Sequence, residues 1–124
     1  MTVTPSCLVG LNVKVFSSLP TLAVALIFSM KNIASIDIGS NTVRLLILES
    51  TGDQKLNLLV SKRDITRLGE GIDAQGKLIE HRMQTTLKVL SRFRQICLEN
   101  GDPPLFAVAT SAVREASNGQ EFVR

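Results

Sequence analysis

The sequence predicts a mixed α/β fold: a three-stranded antiparallel meander, then a long helix, a parallel strand and the start of a further helix. Three observations carry this prediction. Ile33–Leu48 contains two β-rich apolar runs around a short polar turn, which is the pattern of a hairpin. Glu80–Asn100 has apolar side chains at three- and four-residue spacing, the period of an amphipathic helix. Leu105–Ala109 is a short apolar run, and a strand that follows a crossover helix pairs in parallel with an earlier strand.

The chain has 124 residues, which is long enough for one domain with a hydrophobic core. The net charge of +3 fits an anionic ligand without requiring one. Five Phe and no Trp or Tyr argue against a base-stacking surface, so no nucleic-acid partner is expected. Cys7 and Cys97 are far apart and His81 is the single histidine. We therefore expect reduced thiols, no zinc site and a cytoplasmic location.

Residues 1–29 differ in composition from the rest, with Lys14 as the one charged residue. The mostly apolar run Leu19–Met30 is shorter than the ~20 residues that a membrane-spanning helix needs, so no membrane partner is expected. The late positive charge and the lack of a small-x-small site before Ile33 disfavour a secretory signal. We predict that residues 1–29 are an extension, disordered, loosely helical or from a misassigned start, and that residues 30–124 form the lobe. A signal or anchor and a structured N-terminal element are the alternatives.

The remaining elements follow in chain order. Leu56, Leu58 and Val60 occupy every second position, which predicts the third strand. Lys62–Gly71 has many charges and paired glycines, which predicts a loop leaving that strand.

The long helix has an apolar stripe, with polar residues such as Arg82 and Arg92 predicted to face water. The members of the stripe are Met83, Leu87, Leu90, Phe93 and Cys97. Asn100-Gly101 and two prolines end this helix. After the parallel strand, residues 113–116 predict a short helical turn. Asn118, with Glu121 three residues later, is expected to cap a final helix.

The hairpin turn carries residue types that suit a phosphate. Gly39 lets the backbone approach a ligand closely, and successive N–H groups in such a turn can form an anion-binding concavity. Ser40, Asn41 and Thr42 add side-chain donors. Asp37 has the charge for Mg²⁺, which proteins hold with one or two carboxylates. An ordinary hairpin turn uses the same residue types, so on this stretch alone both interpretations stay open.

Two segments share a further pattern: a strand end, then small hydroxyl residues, then an arginine. They are Asp37-Ile38-Gly39-Ser40-Asn41-Thr42-Val43-Arg44 and Ala109-Thr110-Ser111-Ala112-Val113-Arg114-Glu115-Ala116. With Arg67-Leu68-Gly69-Glu70-Gly71 between them, residues 30–124 resemble the amino-terminal part of the exopolyphosphatase/guanosine pentaphosphate phosphatase (Ppx/GppA) family. The resemblance implies a ribonuclease-H-like lobe of the actin-like ATPase superfamily, truncated after its fourth strand, with the active site between two such lobes.

The resemblance also implies a function and a site. Members of the family hydrolyse phosphoanhydride bonds with Mg²⁺, releasing terminal phosphate from polyphosphate or guanosine pentaphosphate. Asp37 would place the metal through water, and Arg67 is a weaker phosphate-binding candidate. The implied phosphate-binding residues are Gly39, Ser40, Asn41, Thr42, Arg44, Thr110, Ser111 and Arg114. Arginine suits this role because its charged fork matches phosphate bidentately.

The chain departs from the family pattern in two places. Ile79 stands where a polar helix cap is usual. The catalytic glutamate, the second phosphate loop and the opposing lobe are expected beyond Arg124, and Glu121 suits a helix cap better than the missing base. We therefore expect the isolated chain to be inactive. As a separate expectation, the full-length protein forms a homodimer. A non-catalytic polyphosphate- or nucleotide-binding module, and a fragment of another actin-like ATPase or kinase, are the alternative functions.

Overall fold

The computed structural model describes residues 12–13, 31–51, 55–109 and 111–124. The strands are β1 (Asn12–Val13), β2 (Asn32–Ile38), β3 (Thr42–Ser50), β4 (Leu56–Ile65) and β5 (Leu105–Ala109). The helices are α1 (Ile72–Gln75), α2 (Glu80–Glu99), α3 (Ser111–Glu115) and α4 (Gly119–Phe122). No helix in these ranges is both long and apolar enough to cross a bilayer.

The described strands form one sheet in the order β1-β5-β2-β3-β4. Strands β2, β3 and β4 make an antiparallel meander, and β5 lies parallel to β2. This is the predicted arrangement of meander, helix and parallel strand. The crossover helix α2 was also predicted within one residue of its observed end, because its apolar period and the Asn100-Gly101 stop are both local features.

One face of the sheet packs against α2 and forms the core. Every second residue of the central strands points into this core, as the pleat requires. The strand residues buried there are Ala34, Ile36, Ile38, Val43, Leu45, Ile47, Ala107 and Ala109. Helix α2 contributes Leu90, Phe93 and Cys97 from the predicted stripe, whereas Met83 and Leu87 are only partly buried at its amino-terminal end.

The opposite face of the sheet, which we call the open face, carries the alternate residues. Leu46 and Phe106 on this face are 37% and 36% exposed. Leu58, which pairs with Leu48, is 59% exposed. Toward the β2–β3 turn the open face becomes polar, with Asp37 and Arg44 as neighbours across the two strands. The charged end of the open face is therefore also the end that carries the candidate phosphate loop.

The third strand is longer than predicted. β4 continues to Ile65, so Lys62 and Arg63 lie in the strand rather than in a loop. Their backbone pairs with β3, Lys62 opposite Leu45 and Arg63 opposite Arg44. Charged residues are common in edge strands because one side of the strand is solvated and a charge there discourages unwanted pairing.

Residues 12–13 are the described part of the amino-terminal extension, and they form a strand. Asn12 and Val13 pair in parallel with Phe106 and Ala107 of β5. This differs from the expectation of a disordered or loosely helical segment at these two positions, because the edge of β5 offers unpaired backbone groups to an added strand. The rest of that expectation lies outside the described residues, and the boundary at Met30 stays a prediction.

Two polar side chains have roles that the sequence did not predict. Asn118 does not cap α4 with its side chain. Its Oδ1 accepts a hydrogen bond from the Leu78 N–H at 2.7 Å, and its Nδ2 donates to the Leu78 carbonyl at 3.0 Å. Arg82 does not simply face water, because it is partly buried and forms an ion pair with Glu70. Both contacts join segments that are distant in sequence, so periodicity could not reveal them.

Candidate functional site

The β2–β3 turn closes tightly around Gly39. The Gly39 N–H donates to the Thr42 carbonyl at 3.0 Å. A Cβ atom on Gly39 would lie 2.8 Å from that same carbonyl oxygen, which is closer than real Cβ contacts. The turn can therefore keep this shape only with glycine at its first position.

The loop that follows β4 docks against the back of this turn. The N–H groups of Thr66 and Arg67 both donate to the Asn41 carbonyl at 3.0 Å. The Gly69 N–H donates to the Ser40 carbonyl at 2.7 Å. The Ser40 and Asn41 carbonyl oxygens are thereby hydrogen-bonded to the loop, which holds the turn and the loop together.

The second hydroxyl-rich segment reaches the same place from β5. Because β2 and β5 are parallel, with Ile38 opposite Ala109, their carboxyl ends meet at one edge of the sheet. The Oγ atoms of Ser40 and Ser111 lie 3.5 Å apart. The structure therefore brings together two segments that are 71 residues apart in the chain.

Gly69 lies between these two segments. A Cβ atom on Gly69 would be 2.9 Å from the Ser40 Cβ and 3.4 Å from the Ala112 Cβ. All three sequence motifs thus meet, with Gly69 as the small residue that lets the two hydroxyl-rich segments approach. We call this convergence of the Gly39–Thr42 turn, the Thr66–Gly69 loop and the start of α3 the loop cluster.

The arginines near the loop cluster are exposed and form no ion pair with any described residue. Arg44, Arg67 and Arg114 are all exposed. Within the described ranges, the ion pairs are Arg82–Glu70, Arg92–Asp64 and Arg94–Asp102, and none of them includes these three arginines. Arg67 also has a φ of 52°, an unusual conformation for a residue with a side chain. Unpaired guanidinium groups beside a hydroxyl-rich turn suit a phosphate ligand.

Asp37 and Thr110 are the other predicted site residues. Asp37 is exposed on the open face next to Arg44. Thr110 lies outside the described residues. No group of three or more His, Cys, Asp or Glu in the described part of the chain could hold a metal ion. A lone carboxylate fits Mg²⁺ that keeps most of its waters and shares a phosphate ligand, and does not fit an all-protein metal cage.

Two of the glutamates, Glu70 and Glu121, have other surroundings in the structure. Glu70 is held in the ion pair with Arg82. Glu121 lines a shallow groove between α2 and α4, together with Met83 and Phe122. That groove contains none of the motif residues. Glu121 is therefore apart from the motif residues, and the expectation that it is not the base stays a prediction.

Sequence reasoning missed one charged residue of the open face, Arg63. It is exposed and sits directly opposite Arg44 in the β3–β4 register. It was missed because the third strand was predicted to end near Val60. Continuing the strand to Ile65 would have placed Arg63 on the face of Arg44.

Away from the loop cluster, the pKa values of Asp102 and Cys97, near the end of α2, are shifted. The hydrogen bond from Arg94 lowers the pKa of Asp102. Burial raises the pKa of the Cys97 thiol, so this thiol stays protonated and unreactive at neutral pH. Neither group belongs to the site.

Comparison with known proteins identifies what this chain is similar to. The sequence profile of the Ppx/GppA phosphatase family matches residues 46–124. Exopolyphosphatase 1 of Mycobacterium tuberculosis is 33% identical over 88 residues, which are 71% of this chain and 26% of that protein. The bifunctional 3-dehydroquinate synthase/phosphatase of Fusobacterium nucleatum is 35% identical over 98 residues, 73% of this chain and 15% of that protein. The chain thus spans about a quarter or less of these curated relatives.

Solved structures show the same likeness in three dimensions. A Ppx/GppA family member from Aquifex aeolicus matches with a TM-score of 0.70 and 39% identity, covering 75% of this chain and 30% of that one. An exopolyphosphatase from Cytophaga hutchinsonii matches with a TM-score of 0.69 and 35% identity, covering 73% and 29%. The fold class predicted from the resemblance, a lobe of the actin-like ATPase type, is confirmed by these neighbours.

Proposed function

This chain belongs to the Ppx/GppA phosphatase family, and from that premise we propose that it supplies the phosphate-binding edge of a Mg²⁺-dependent phosphoanhydride hydrolase. Its substrate would be inorganic polyphosphate or guanosine pentaphosphate. The observation that carries the proposal is the loop cluster, in which Ser40 and Ser111 meet at one edge of the sheet. A hairpin turn with only a structural role does not need a second hydroxyl-rich segment beside it, whereas a phosphate-binding site gains hydrogen-bond donors from that segment.

Each group at this edge has a chemical task in the proposal. The Gly39 N–H already donates to the Thr42 carbonyl, so the backbone N–H groups of Ser40 and Asn41 and the hydroxyls of Ser40, Thr42 and Ser111 would donate hydrogen bonds to phosphate oxygens. Arg44 and Arg114 would neutralise phosphate charge with bidentate contacts. Asp37 would hold Mg²⁺ through water, and the bound ion would supply positive charge to the phosphate oxygens.

The base that activates the attacking water is not among the described residues of the cluster. Phosphoryl transfer depends on a positioned water as well as on charge neutralisation. With Glu70 paired and Glu121 in a separate groove, the proposal places this base outside the 124-residue chain. The chain by itself would then bind phosphate chains weakly without hydrolysing them.

A pair of substitutions tests the binding role. Arg114→Ala should weaken polyphosphate binding, because a hydrogen bond to a charged group contributes about 1.5–3 kcal/mol, or roughly one to two decades of affinity. Lys88→Ala removes the same charge from the exposed face of α2 and should change binding little. Calorimetric titration of polyphosphate with Mg²⁺ present measures both. Equal polyphosphate affinities for the two variants would show that Arg114 does not belong to the phosphate-binding site.

A phosphate-release assay tests the catalytic part. The purified chain, given Mg²⁺ and either polyphosphate or guanosine pentaphosphate, should release no phosphate above the uncatalysed rate. Turnover that disappears in Asp37→Ala would show instead that a base lies within the chain, with Glu115 as the first residue to test. Tighter binding of ATP than of polyphosphate would favour a kinase or ATPase fragment.

A further inference from the structure

We propose that Arg63 binds a second phosphoryl group of the substrate and so gives the site a preference for extended phosphate chains. The inference rests on the proposed phosphate-binding function. It adds Arg63 to the phosphate-binding residues and specifies that the ligand is an extended phosphate chain. Arg63 lies on β4, outside the loop cluster and outside every motif that carries the family resemblance.

The register of the sheet places Arg63 in line with the candidate site. On the open face, Val108, Asp37, Arg44 and Arg63 form one row across β5, β2, β3 and β4. Arg63 is therefore the β4 end of a row whose other end, Val108, directly precedes the second motif. Its neighbour Lys62 faces the other side of the sheet, because it lies opposite the buried Leu45.

The charges of Arg44 and Arg63 favour a bound anion. Arg44 and Arg63 are direct cross-strand neighbours with like charge, an arrangement that destabilises a sheet. Arg44 has Asp37 on its other side, but neither arginine forms an ion pair with any described residue. Both side chains are exposed. A bound polyanion would neutralise both guanidinium groups and remove their repulsion.

The width of the row favours an extended ligand. Neighbouring strands are about 4.8 Å apart, so the backbones of Asp37 and Arg63 are separated by two such spacings, about 10 Å of sheet. A single phosphate is smaller than this backbone separation, whereas a chain of several phosphoryl groups bound along the row would contact both Arg44 and Arg63.

An edge-strand charge could also serve only to prevent aggregation, and a matched pair of variants separates the two roles. Arg63→Ala and Lys62→Ala remove the same charge from adjacent positions on opposite faces of β4. The probes are long-chain polyphosphate and inorganic orthophosphate, titrated into the 124-residue chain with Mg²⁺ present.

We expect Arg63→Ala to lower the affinity for polyphosphate about ten- to a hundredfold and that for orthophosphate less than about twofold. Lys62→Ala should change neither by more than about twofold. The unliganded Arg63→Ala chain should unfold at the same or a higher temperature than the wild type, because a repulsive pair is removed.

Equal polyphosphate affinity for Arg63→Ala and Lys62→Ala would overturn the inference and leave the proposed function standing. An equal loss of orthophosphate and polyphosphate binding in Arg63→Ala would overturn the assignment of a second phosphoryl group. Absence of any polyphosphate binding by the wild-type chain would instead overturn the proposed function itself.

Discussion

The substitution Gly69→Ala tests whether the loop cluster depends on the close approach of its segments. Gly69 has no positive φ, so alanine introduces no backbone strain there. The added Cβ would lie 2.9 Å from the Ser40 Cβ, 3.3 Å from the Ser40 carbonyl oxygen and 3.4 Å from the Ala112 Cβ. Carbon atoms prefer about 3.5–4.0 Å, so Ser40 has to move by roughly 0.6–1.1 Å.

That movement conflicts with the other contacts of the turn. The Gly69 N–H donates to the Ser40 carbonyl at 2.7 Å, so moving Ser40 away stretches this hydrogen bond. Overpacking of this kind destabilises by about 1–3 kcal/mol. We therefore expect the free energy of unfolding of Gly69→Ala to fall by that amount. Its polyphosphate affinity should fall as well, because the two hydroxyl-rich segments separate.

Urea denaturation followed by circular dichroism measures the first effect, and calorimetric titration measures the second. The double variant Ser40→Gly/Gly69→Ala supplies the control, because it removes the Cβ at the 2.9 Å contact. It should recover stability relative to the sum of the two single variants, as contacting residues do in a double-mutant cycle. Wild-type stability and affinity in Gly69→Ala would refute the idea that Gly69 joins the segments.

Three further predictions concern stability. Asn118→Ala should lower the free energy of unfolding by about 1–3 kcal/mol, because the buried Leu78 backbone loses both of its hydrogen bonds to that side chain; an unchanged denaturation midpoint would contradict this. Thr66→Val should be neutral or raise stability by about 1 kcal/mol, because the buried Thr66 hydroxyl has no partner within the described residues. Asp102→Asn should be less stable than the wild type near neutral pH. The hydrogen bond from Arg94 lowers the folded-state pKa of Asp102, so this stabilisation is present above the unfolded-state pKa and disappears as pH falls through the folded-state pKa. Thermal unfolding across pH should therefore show the two curves converging in acid.

The elements of the fold could be predicted because their causes are local. The stripe that includes Leu90 and Phe93 has the helical period, and those side chains are buried as expected. The turn chemistry of Gly39-Ser40-Asn41-Thr42 predicted the hairpin, and β2 and β3 flank it. Each of these features depends on residues within a few positions of one another, so the sequence alone contains the information.

Other features were decided by contacts between distant segments. The end of β4 was predicted too early, because Lys62 and Arg63 have loop-like charges and only pairing with β3 keeps them extended. Asn118 is of a residue type that often caps helices, but its side-chain amide hydrogen-bonds instead to the backbone N–H and carbonyl of Leu78, which lies nearby in space. Local chemistry permits several partners, and the tertiary structure selects among them.

The candidate site also combines features that the sequence determines with features that only the tertiary structure determines. The sequence by itself determined which residues could bind phosphate, because hydroxyls, glycine and arginine have fixed donor chemistry. Only the tertiary structure decided that Ser40 and Ser111 lie 3.5 Å apart, that Gly69 fits between their segments and that Arg63 faces the same side as Arg44. The physical reason is that parallel pairing of β2 with β5 and the register of β3 with β4 set these neighbours, and both depend on the packed sheet as a whole.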